Sequence, residues 1–395
     1  MTQLWRTELF NANVTTSPTG IWNYIGGLDV LPDGSLAAIT NSYLYKINAT
    51  TGAIENVLAL PTGKSSPPNT SYNGLVAWPD GTMVMKSFTR APGCALGGGL
   101  PLLVPCPGQQ NAPNSVIVVV NPKTWKVLDW TELNGQLGSR VAATQYHGKD
   151  YAYLANATTF IRYVWDGKNI VLDKSWQPKN LAQPGQTGLL APMIAGDWVF
   201  GYDNNFPAKV PLSSFVISQA NASKISRINP IPLQSGQQSY MPSNSAVDLV
   251  NHMFYVPDGG AGKLVGLKYN PETGNMSVVW RANQSTLAFM SLIGPANHRV
   301  LVGTNMHPGT TIPQMVYSPP PAYTEQVVWR DAATGKLLAA SDYFSGMSLG
   351  APPEPGYGGL LYYMTFNGHI MALQVLPKPA STNSTTTAPT AGTGG

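Results

Sequence analysis

The chain has 395 residues, of which 40 are Gly and 34 Pro, and only 11% are charged against 43% that are hydrophobic. This composition is typical of strands and turns and excludes a mainly helical protein. The net charge of +4 forms no basic run, so no nucleic-acid partner is expected, and no apolar run approaches the roughly 18 residues that span a bilayer.

The predicted elements begin with an extended segment, Leu4–Leu9, followed by a first unit of four strands. These strands are predicted at Ile25–Leu31, Ser35–Thr40, Tyr43–Ile47 and Ile54–Leu60. A tight Pro-Asp-Gly turn separates the first two strands, and a five-residue turn separates the last two.

The five-residue turn recurs along the chain between extended runs. The copies are Asn48–Gly52, Asn121–Trp125, Asn270–Gly274 and Asp331–Gly335, with weaker ones at Asp166–Asn169 and Asn221–Ser223. A strand-rich unit of roughly 45 residues that repeats in this way, with insertions, is the signature of a β-propeller.

The later units are predicted at about 75–130, 141–176, 189–233, 244–281 and 287–344, and a seventh begins near Gly358 but stops one strand short. Leu4–Leu9 resembles the fourth strands that end in Trp130 and Trp280, so we expect it to complete the last blade and remove its open edge. The prediction is an all-β propeller of seven four-stranded blades, with six or eight as alternatives. Residues 1–377 form this single domain, and 378–395 form a disordered tail or stalk rich in Ser, Thr, Pro and Gly.

Long segments fall between second and third strands or between blades, and both classes of loop emerge on one face of a propeller. We call this the elaborated face, and the opposite face, which carries the short turns, the trimmed face. Binding sites usually lie in long loops on a rigid scaffold, so the elaborated face is the expected site.

The segment Asn270–Trp280, Asn-Pro-Glu-Thr-Gly followed by a later Trp, resembles the repeats of quinoprotein-alcohol-dehydrogenase-like (PQQ-repeat) propellers, and Asp331–Lys336 looks like another copy. The resemblance implies the propeller fold. True quinoprotein dehydrogenases would imply eight blades, adjacent cysteines over the quinone, and a calcium ion held by acidic and amide side chains. This sequence has no adjacent cysteine pair and is predicted to have one blade fewer, so PQQ is not expected.

Several features indicate an extracellular or cell-surface location. Met1 is not followed by the apolar core of a signal peptide, so we expect a mature protein whose leader has been removed. Cys94 and Cys106 lie in one Gly/Pro-rich insertion and are predicted to form a disulfide, with a metal pair or a reactive thiol as alternatives. Eight sequons predict N-glycosylation, at Asn13, Asn48, Asn69, Asn156, Asn221, Asn275, Asn283 and Asn383.

Polar residues end the second strands and would form a ring around the channel mouth. They are Asn41, Lys86, Asn156, Asp203, Asp258, Asn305 and Asn367. In a functional interpretation, Asp203 and Asp258 combine with Lys86, Arg90 and His307 as an acid–base site, or the two carboxylates bind Ca²⁺. In the simpler interpretation, Asn and Asp begin turns by bonding their own backbone. His307 and His369 follow second strands of adjacent blades and are the two histidines with a candidate catalytic role, although a turn role accounts for them as well.

The sequence does not decide whether the protein is an enzyme. The leading hypothesis is a secreted or surface propeller that acts as an interaction module, binding glycans, proteins or copies of itself through loops or edge strands. The alternative is a cofactor-independent extracellular hydrolase or lyase with its site at the channel mouth. A quinone-dependent oxidoreductase comes third.

Overall fold

The computed structural model describes residues 2–9, 26–91, 108–135, 139–156, 158–316, 323–346, 354–364 and 368–374. Its strands form seven antiparallel sheets of four main strands, and the sixth sheet has a short extra strand. The innermost strands of consecutive sheets pack against one another around a ring, and the first sheet packs against the seventh. The prediction of an all-β, seven-bladed propeller is therefore confirmed.

The strands are numbered in chain order, and β1 (Thr2–Glu8) is the outer strand of blade 7. Blade 1 has β2 (Gly27–Val30), β3 (Leu36–Thr40), β4 (Tyr43–Ile47) and β5 (Ile54–Ala59); blade 2 has β6 (Thr70–Ala77), β7 (Met83–Thr89), β8 (Val116–Asn121) and β9 (Lys126–Glu132); blade 3 has β10 (Ala142–Tyr146), β11 (Lys149–Ala155), β12 (Phe160–Trp165) and β13 (Ile170–Leu172). Blade 4 has β14 (Met193–Ala195), β15 (Trp198–Tyr202), β16 (Ser214–Ser218) and β17 (Ile225–Ile228); blade 5 has β18 (Val247–Asp248), β19 (Met253–Asp258), β20 (Lys263–Tyr269) and β21 (Met276–Asn283). Blade 6 has β22 (Ser291–Ile293), β23 (Val300–Met306), β24 (Thr324–Asp331), β25 (Leu337–Ala340) and the extra strand β26 (Phe344–Ser345); blade 7 has β27 (Glu354–Pro355), β28 (Leu360–Met364) and β29 (His369–Gln374).

Helical segments are few in the described part of the chain. They comprise one short α-helix, α1 (Ile312–Val316), and four 3₁₀ turns at Pro67–Asn69, Gln109–Asn111, Ala296–His298 and Tyr357–Gly359. None of the helices in these residues is long and apolar enough to cross a membrane.

The burial of the strands follows their position in the blades. The second strands β3 and β7 are buried at every residue, because neighbouring sheets cover both of their faces. The outer strands are far more exposed, and β9 alternates between exposed and half-buried positions. The hydrophobic core therefore lies between the blades as a series of clusters that join each sheet to the next.

The five-residue turn is closed by the same backbone hydrogen bond, from its last residue to its first, in each full copy. In the first copy, the Asn48 side-chain oxygen accepts hydrogen bonds from the amides of Thr50 and Thr51 at 3.0 Å, and the Gly52 amide donates to the Asn48 carbonyl at 2.8 Å. Gly52 has a φ of 75°, a left-handed conformation that Gly adopts without the strain of a Cβ atom. The motif therefore occurs because an Asn or Asp begins the turn and a Gly can end it.

A tryptophan from one blade docks on the turn of the next blade in three places. Trp280 of blade 5 donates its indole N–H to the Ala332 carbonyl of blade 6 at 3.1 Å. A Cβ atom on Gly335 of the same turn would lie 2.5 Å from the Trp280 ring, so the glycine provides the room for the indole. Trp198 docks in the same way on Pro271 and Gly274 of blade 5, and Trp5 on Ala49 and Gly52 of blade 1.

Blade 2 departs from this arrangement because Trp125 occupies the last position of its turn, where the other full copies have Gly. Trp125 adopts a φ of 54° and is buried in a cluster with Leu58 and Leu60 of blade 1. Blade 2 thus supplies its own indole, and the described residues of blade 1 include no tryptophan that could take this place. Blades 1 and 2 are joined instead by backbone bonds, from the Tyr72 amide to the Asn41 carbonyl and from the Gly74 amide to the Gly26 carbonyl.

The N-terminal strand closes the ring, as the sequence predicts. β1 pairs antiparallel with β29, with Thr2 opposite Gln374 and Glu8 opposite His369. The inner strand of this blade differs from the prediction, because β27 at Glu354–Pro355 precedes the expected start near Gly358. A two-residue strand carries too little periodicity to be recognised from sequence.

Several predictions lie outside the described residues. These are Cys94 and Cys106, the sequons at Asn13 and Asn383, Asn367, and the tail at 378–395. The disulfide, the two sequons and the tail therefore stay predictions.

Candidate functional site

The long connections begin and end on one side of the propeller, as expected. The second and third strands of blades 2, 4 and 6 are separated by long connections, whereas β3 and β4 are joined by two residues and β11 and β12 by four. Most first-to-second turns on the opposite side are short, and in blade 3 only His147 and Gly148 separate β10 from β11. The polar series that the sequence predicts at the ends of the second strands therefore belongs to the elaborated face.

Asn156 bonds to the backbone of its own turn, which matches the simpler interpretation, whereas Asn305 bonds to the loop before blade 6. The Asn156 side-chain oxygen accepts from the amides of Thr158 at 2.9 Å and Thr159 at 2.7 Å. The Asn305 oxygen accepts from the Ser285 amide at 2.9 Å. These side chains shape the loops that begin beside them.

Asp258 is a buried carboxyl group surrounded by donors. Its oxygens accept hydrogen bonds from the Ser239 hydroxyl at 2.6 Å and from the amides of Tyr240 and Ala261, each at 3.0 Å. Burial raises the pKa of Asp258, and these hydrogen bonds oppose the shift. The residue has no exposed surface, so its evident role is to fix the segment between blades 4 and 5 to the end of β19.

Asp203 lies near Asp258 and is equally buried, but it has fewer partners. One of its carboxyl oxygens accepts from the Ser213 amide at 2.9 Å, and the other accepts no hydrogen bond from the described residues. Burial raises the pKa of Asp203 to about 7, and the charge of Asp258 adds to the shift while Arg227 opposes it. The structure therefore brings Asp203 and Asp258 close enough for their charges to interact, in a place with no direct access from solvent.

Lys86 lies elsewhere, in the middle of β7 in blade 2. It is fully buried, and burial together with the positive charge of Arg140 holds the pKa of Lys86 well below its ordinary value. Arg140 donates to the Gly26 carbonyl at 2.8 Å, and its guanidinium lies 4.5 Å from the centre of the Phe289 ring in blade 6. A side chain of blade 3 thus contacts blade 6 across the ring, just before the inner strands begin.

The two candidate histidines occupy outer positions of blades 6 and 7. His307 is exposed, and its ring lies 5.1 Å from the Tyr343 ring. His369 begins β29 and lies 3.9 Å from a carboxyl oxygen of Glu8 in β1. Burial and the nearby Arg6 lower the pKa of His369, and Glu8 opposes this. Both histidines therefore contact peripheral elements of their own blades. The catalytic role considered for the candidate site residues stays a prediction; these are Asp203, Asp258, Lys86, Arg90, His307 and His369.

Two acidic residues in inner strands were not identified from the sequence. Asp29 lies in β2 and Glu354 in β27, and these strands are neighbours where the ring closes. Burial raises the pKa of Asp29 to about 6. Burial first, and then the charge of Asp29, raise the pKa of Glu354 to about 8. The signal available in the sequence was an acidic residue inside a predicted inner strand, at Asp29, whereas Glu354 fell outside any predicted strand.

Six sequons lie in the described residues, and several of their asparagines have structural contacts. Asn48 and Asn221 begin turns with their side-chain oxygens, and the Asn48 amide nitrogen donates to Glu55 at 3.0 Å. Asn275 is exposed and follows directly after the turn of blade 5. Glycosylation stays a prediction at all of these positions.

No group of three or more His, Cys, Asp or Glu residues that could hold a metal ion occurs within the described ranges. Any Ca²⁺ at Asp203 and Asp258 would need amide or carbonyl oxygens for its remaining ligands. The calcium site stays a prediction.

Together, the seven radial sheets and the closing N-terminal strand define this chain as a seven-bladed β-propeller. No protein family and no curated protein matches the sequence. The structure is similar to a chain of the mitotic checkpoint complex, with 10% identity, a TM-score of 0.57 and 95% of each chain covered. It is also similar to the β-propeller domain of Cps50 (Swd1) from Myceliophteria thermophila, with 9% identity and a TM-score of 0.56, over 94% of this chain and 100% of that one.

A third similar structure is BamB from Moraxella catarrhalis, with 12% identity and a TM-score of 0.47, over 95% of this chain and 99% of that one. At these identities the first two likenesses show the fold alone. These comparisons therefore establish the fold and give no information about the chemistry.

Proposed function

We propose that this protein is a secreted or cell-surface β-propeller that acts as an interaction module, with the elaborated face as its binding surface. The sequons, the low charge and the Ser/Thr/Pro-rich tail support the extracellular location. The long loops of blades 2, 4 and 6 support the choice of face. Its ligands are glycans or proteins, including copies of itself.

The observation that carries this proposal is an exposed aromatic pair on the elaborated face. His307 follows β23, and Tyr343 lies directly before β26, whose partners Thr324 and Glu325 begin β24 at the same end of the blade. Tyr343 is 42% exposed although its ring contacts His307. Aromatic rings held in this way supply contact area at low entropic cost, and they stack on sugar rings or on apolar side chains.

The test is a binding screen with the full chain and two tyrosine variants. Immobilised polysaccharides, glycoproteins and the protein itself serve as ligands. We expect Tyr343→Ala to weaken binding at least tenfold. Tyr357→Ala is the matched control, since Tyr357 is 65% exposed but lies in the first-to-second turn of blade 7, on the trimmed face. Equal losses in both variants, or no binding by the wild-type chain, would count against the proposal.

The hydrolase or lyase alternative receives less support. It requires Asp203 and Asp258 to reach a substrate, yet both are completely buried and Asp258 is occupied by several donors. In its favour is the raised pKa of Asp203, about 7, which suits a general acid or base near neutral pH. Hydrolysis of a polysaccharide that Asp203→Asn abolishes without loss of folding would revive this alternative.

A further inference from the structure

Blade 7 differs from the other blades in how its outer strand is connected. In blades 1 to 6 the outer strand follows the third strand directly through a turn, as β5 follows β4. In blade 7 the outer strand is β1, which comes from the opposite end of the chain and pairs with β29. Among the described blades, this is the position at which a strand of another molecule could replace the resident one without breaking a turn.

The contacts of β1 define what this position accepts. The Trp5 indole N–H donates to the Ala49 carbonyl at 3.0 Å, and the Thr7 hydroxyl donates to the Gly52 carbonyl at 2.6 Å. Leu9 is only 1% exposed, and its amide donates to the Gly368 carbonyl at 2.9 Å. The contacting residues alternate along an extended segment, as side chains on one face of a strand do.

The receiving surface is made of three parts, which together we call the strand groove. They are β29, the Asn48–Gly52 turn of blade 1, and Gly368. A Cβ atom at Gly52 would lie 2.6 Å from the Trp5 ring and 2.5 Å from the Thr7 hydroxyl, so the groove is shaped for these side chains. Backbone pairing with β29 supplies affinity and the Trp5 contact supplies selectivity, as in other cases of strand addition.

We infer that the strand groove of one copy binds residues 2–9 of a second copy, so that the protein associates with itself by exchange of β1. The occupant is fixed by the contacts above, because the same segment in another molecule offers the same Trp5, Thr7 and Leu9. Sixteen residues, 10–25, separate β1 from the first described residue of blade 1, and fully extended they reach up to about 50 Å. Each copy gives one strand and receives one, so the exchange builds closed dimers when two copies swap β1 reciprocally, and open chains or larger rings when the swap is head-to-tail.

This inference rests on the proposed function only in naming a copy of this chain as one ligand. It uses blade 7 and the turn of blade 1, and it does not involve His307 or Tyr343. The two proposals can therefore fail independently. Tyr343→Ala tests the proposed binding face, and Trp5→Ala tests the strand exchange.

The first test measures binding of a fluorescent peptide with the sequence of residues 2–9 to full-length variants. Trp5→Ala weakens the resident strand and leaves the groove intact, so this variant is the acceptor. Trp130→Ala is the matched control, because Trp130 lies in the outer strand of blade 2, is 42% exposed and leaves β1 unchanged. We expect the Trp5→Ala protein to bind the peptide at least tenfold more tightly than the Trp130→Ala protein, by fluorescence anisotropy.

A peptide that itself carries Trp5→Ala should bind at least tenfold more weakly to the same acceptor. Circular dichroism establishes that the acceptor is folded, and Thr7→Val is a milder second acceptor if it is not. Equal binding of the peptide to both proteins, or none to either acceptor, would overturn the proposal.

The second test is sedimentation of the wild-type chain over a range of concentrations. We expect oligomers that grow with concentration and that an excess of the wild-type peptide shortens, because the peptide fills terminal grooves. A wild-type chain that stays monomeric throughout and exchanges no labelled copies would show that β1 serves only its own blade. Oligomers that Trp5→Ala leaves unchanged would overturn the inference as well.

Discussion

Glu354 illustrates how a single buried carboxyl group makes the stability of the propeller depend on pH. It lies half-buried in the innermost strand of blade 7, and among the described residues it forms no ion pair. Its pKa of about 8 exceeds the ordinary value of 4.5, because burial disfavours the charged form. Between these two values the unfolded chain releases a proton that the folded chain retains. Stability is therefore lost as the pH rises from about 4.5 to about 8.

We predict that Glu354→Gln removes this loss. At pH 9 the variant should have a free energy of unfolding higher than that of the wild type, by up to about 3 kcal/mol, since each pKa unit is worth about 1.4 kcal/mol and water reaches part of the side chain. At pH 5 the two proteins should differ little. Urea titrations at pH 5, 7 and 9 measure the difference.

Asp33→Asn is a control with the opposite sign. The pKa of Asp33 is lowered to about 2, chiefly by the Ser35 hydroxyl and also by Lys46. The contribution of this carboxylate to the free energy of unfolding is therefore present above its ordinary pKa and is lost as the pH falls toward 2. A difference between Glu354→Gln and wild type that is the same at every pH would show that packing, and not ionisation, is responsible.

At the scale of elements, the docking of a tryptophan on the following turn joins blades that share no strand. Gly335 is the clearest case, because it has a φ of 73° and lies against the Trp280 ring. A side chain at this position meets two penalties, one from the left-handed backbone and one from the indole. A side chain that replaces a glycine in an open turn meets the first penalty alone.

We predict that Gly335→Ala lowers the free energy of unfolding by about 2–4 kcal/mol, combining a backbone cost of about 1 kcal/mol with the overpacking of a buried ring. Gly34→Ala is the matched control, since Gly34 has a φ of 83° and open space around the Cβ position, and it should cost only about 1 kcal/mol. Chemical denaturation of the two variants gives the comparison. If both cost the same, the tryptophan does not hold the blades together.

The recurring turn and the order of strands could be predicted from the sequence because both depend on local chemistry. An Asn or Asp four residues before a Gly predicts the turn without any contact from elsewhere in the chain. The strand β4 was predicted with the same bounds that the structure shows, Tyr43–Ile47. The candidate site could be predicted less well, since the direction of a side chain in a fully buried strand leaves no period in the sequence. Lys86 faces Arg140 of the next blade and Glu354 lies in a two-residue strand, and both facts arise from packing between blades.

At the scale of the whole molecule, we expect the two ends of the chain to contribute differently to stability. Residues 2–9 hold the ring closed through β1, Trp5 and Leu9. The last residues, 378–395, have a composition that cannot bury a core. The sequence repeat predicted the seven blades and their closure by the N-terminal strand. It did not predict which turns the tryptophans contact.

We predict that ending the chain at residue 377 leaves the melting temperature unchanged to within about 1 °C, whereas removing residues 1–9 lowers it by at least about 5 °C. Differential scanning calorimetry of the two truncated proteins tests both statements. A large loss on removal of the tail would place the end of the propeller domain beyond residue 377, and no loss on removal of β1 would mean that blade 7 is stable with three strands.

The pairing of Thr2 with Gln374 has a consequence for how the molecule is presented. Both residues lie at the end of blade 7 that bears the trimmed face, so Thr2 and Gln374, the first and last residues that the structure describes, lie side by side there. A tether attached at Gln374 would hold the propeller by its trimmed face, with the ends of the second strands of blades 2, 4 and 6 directed away from the anchoring surface. Attachment at this point would thus give the molecule an inner and an outer side before any partner is bound.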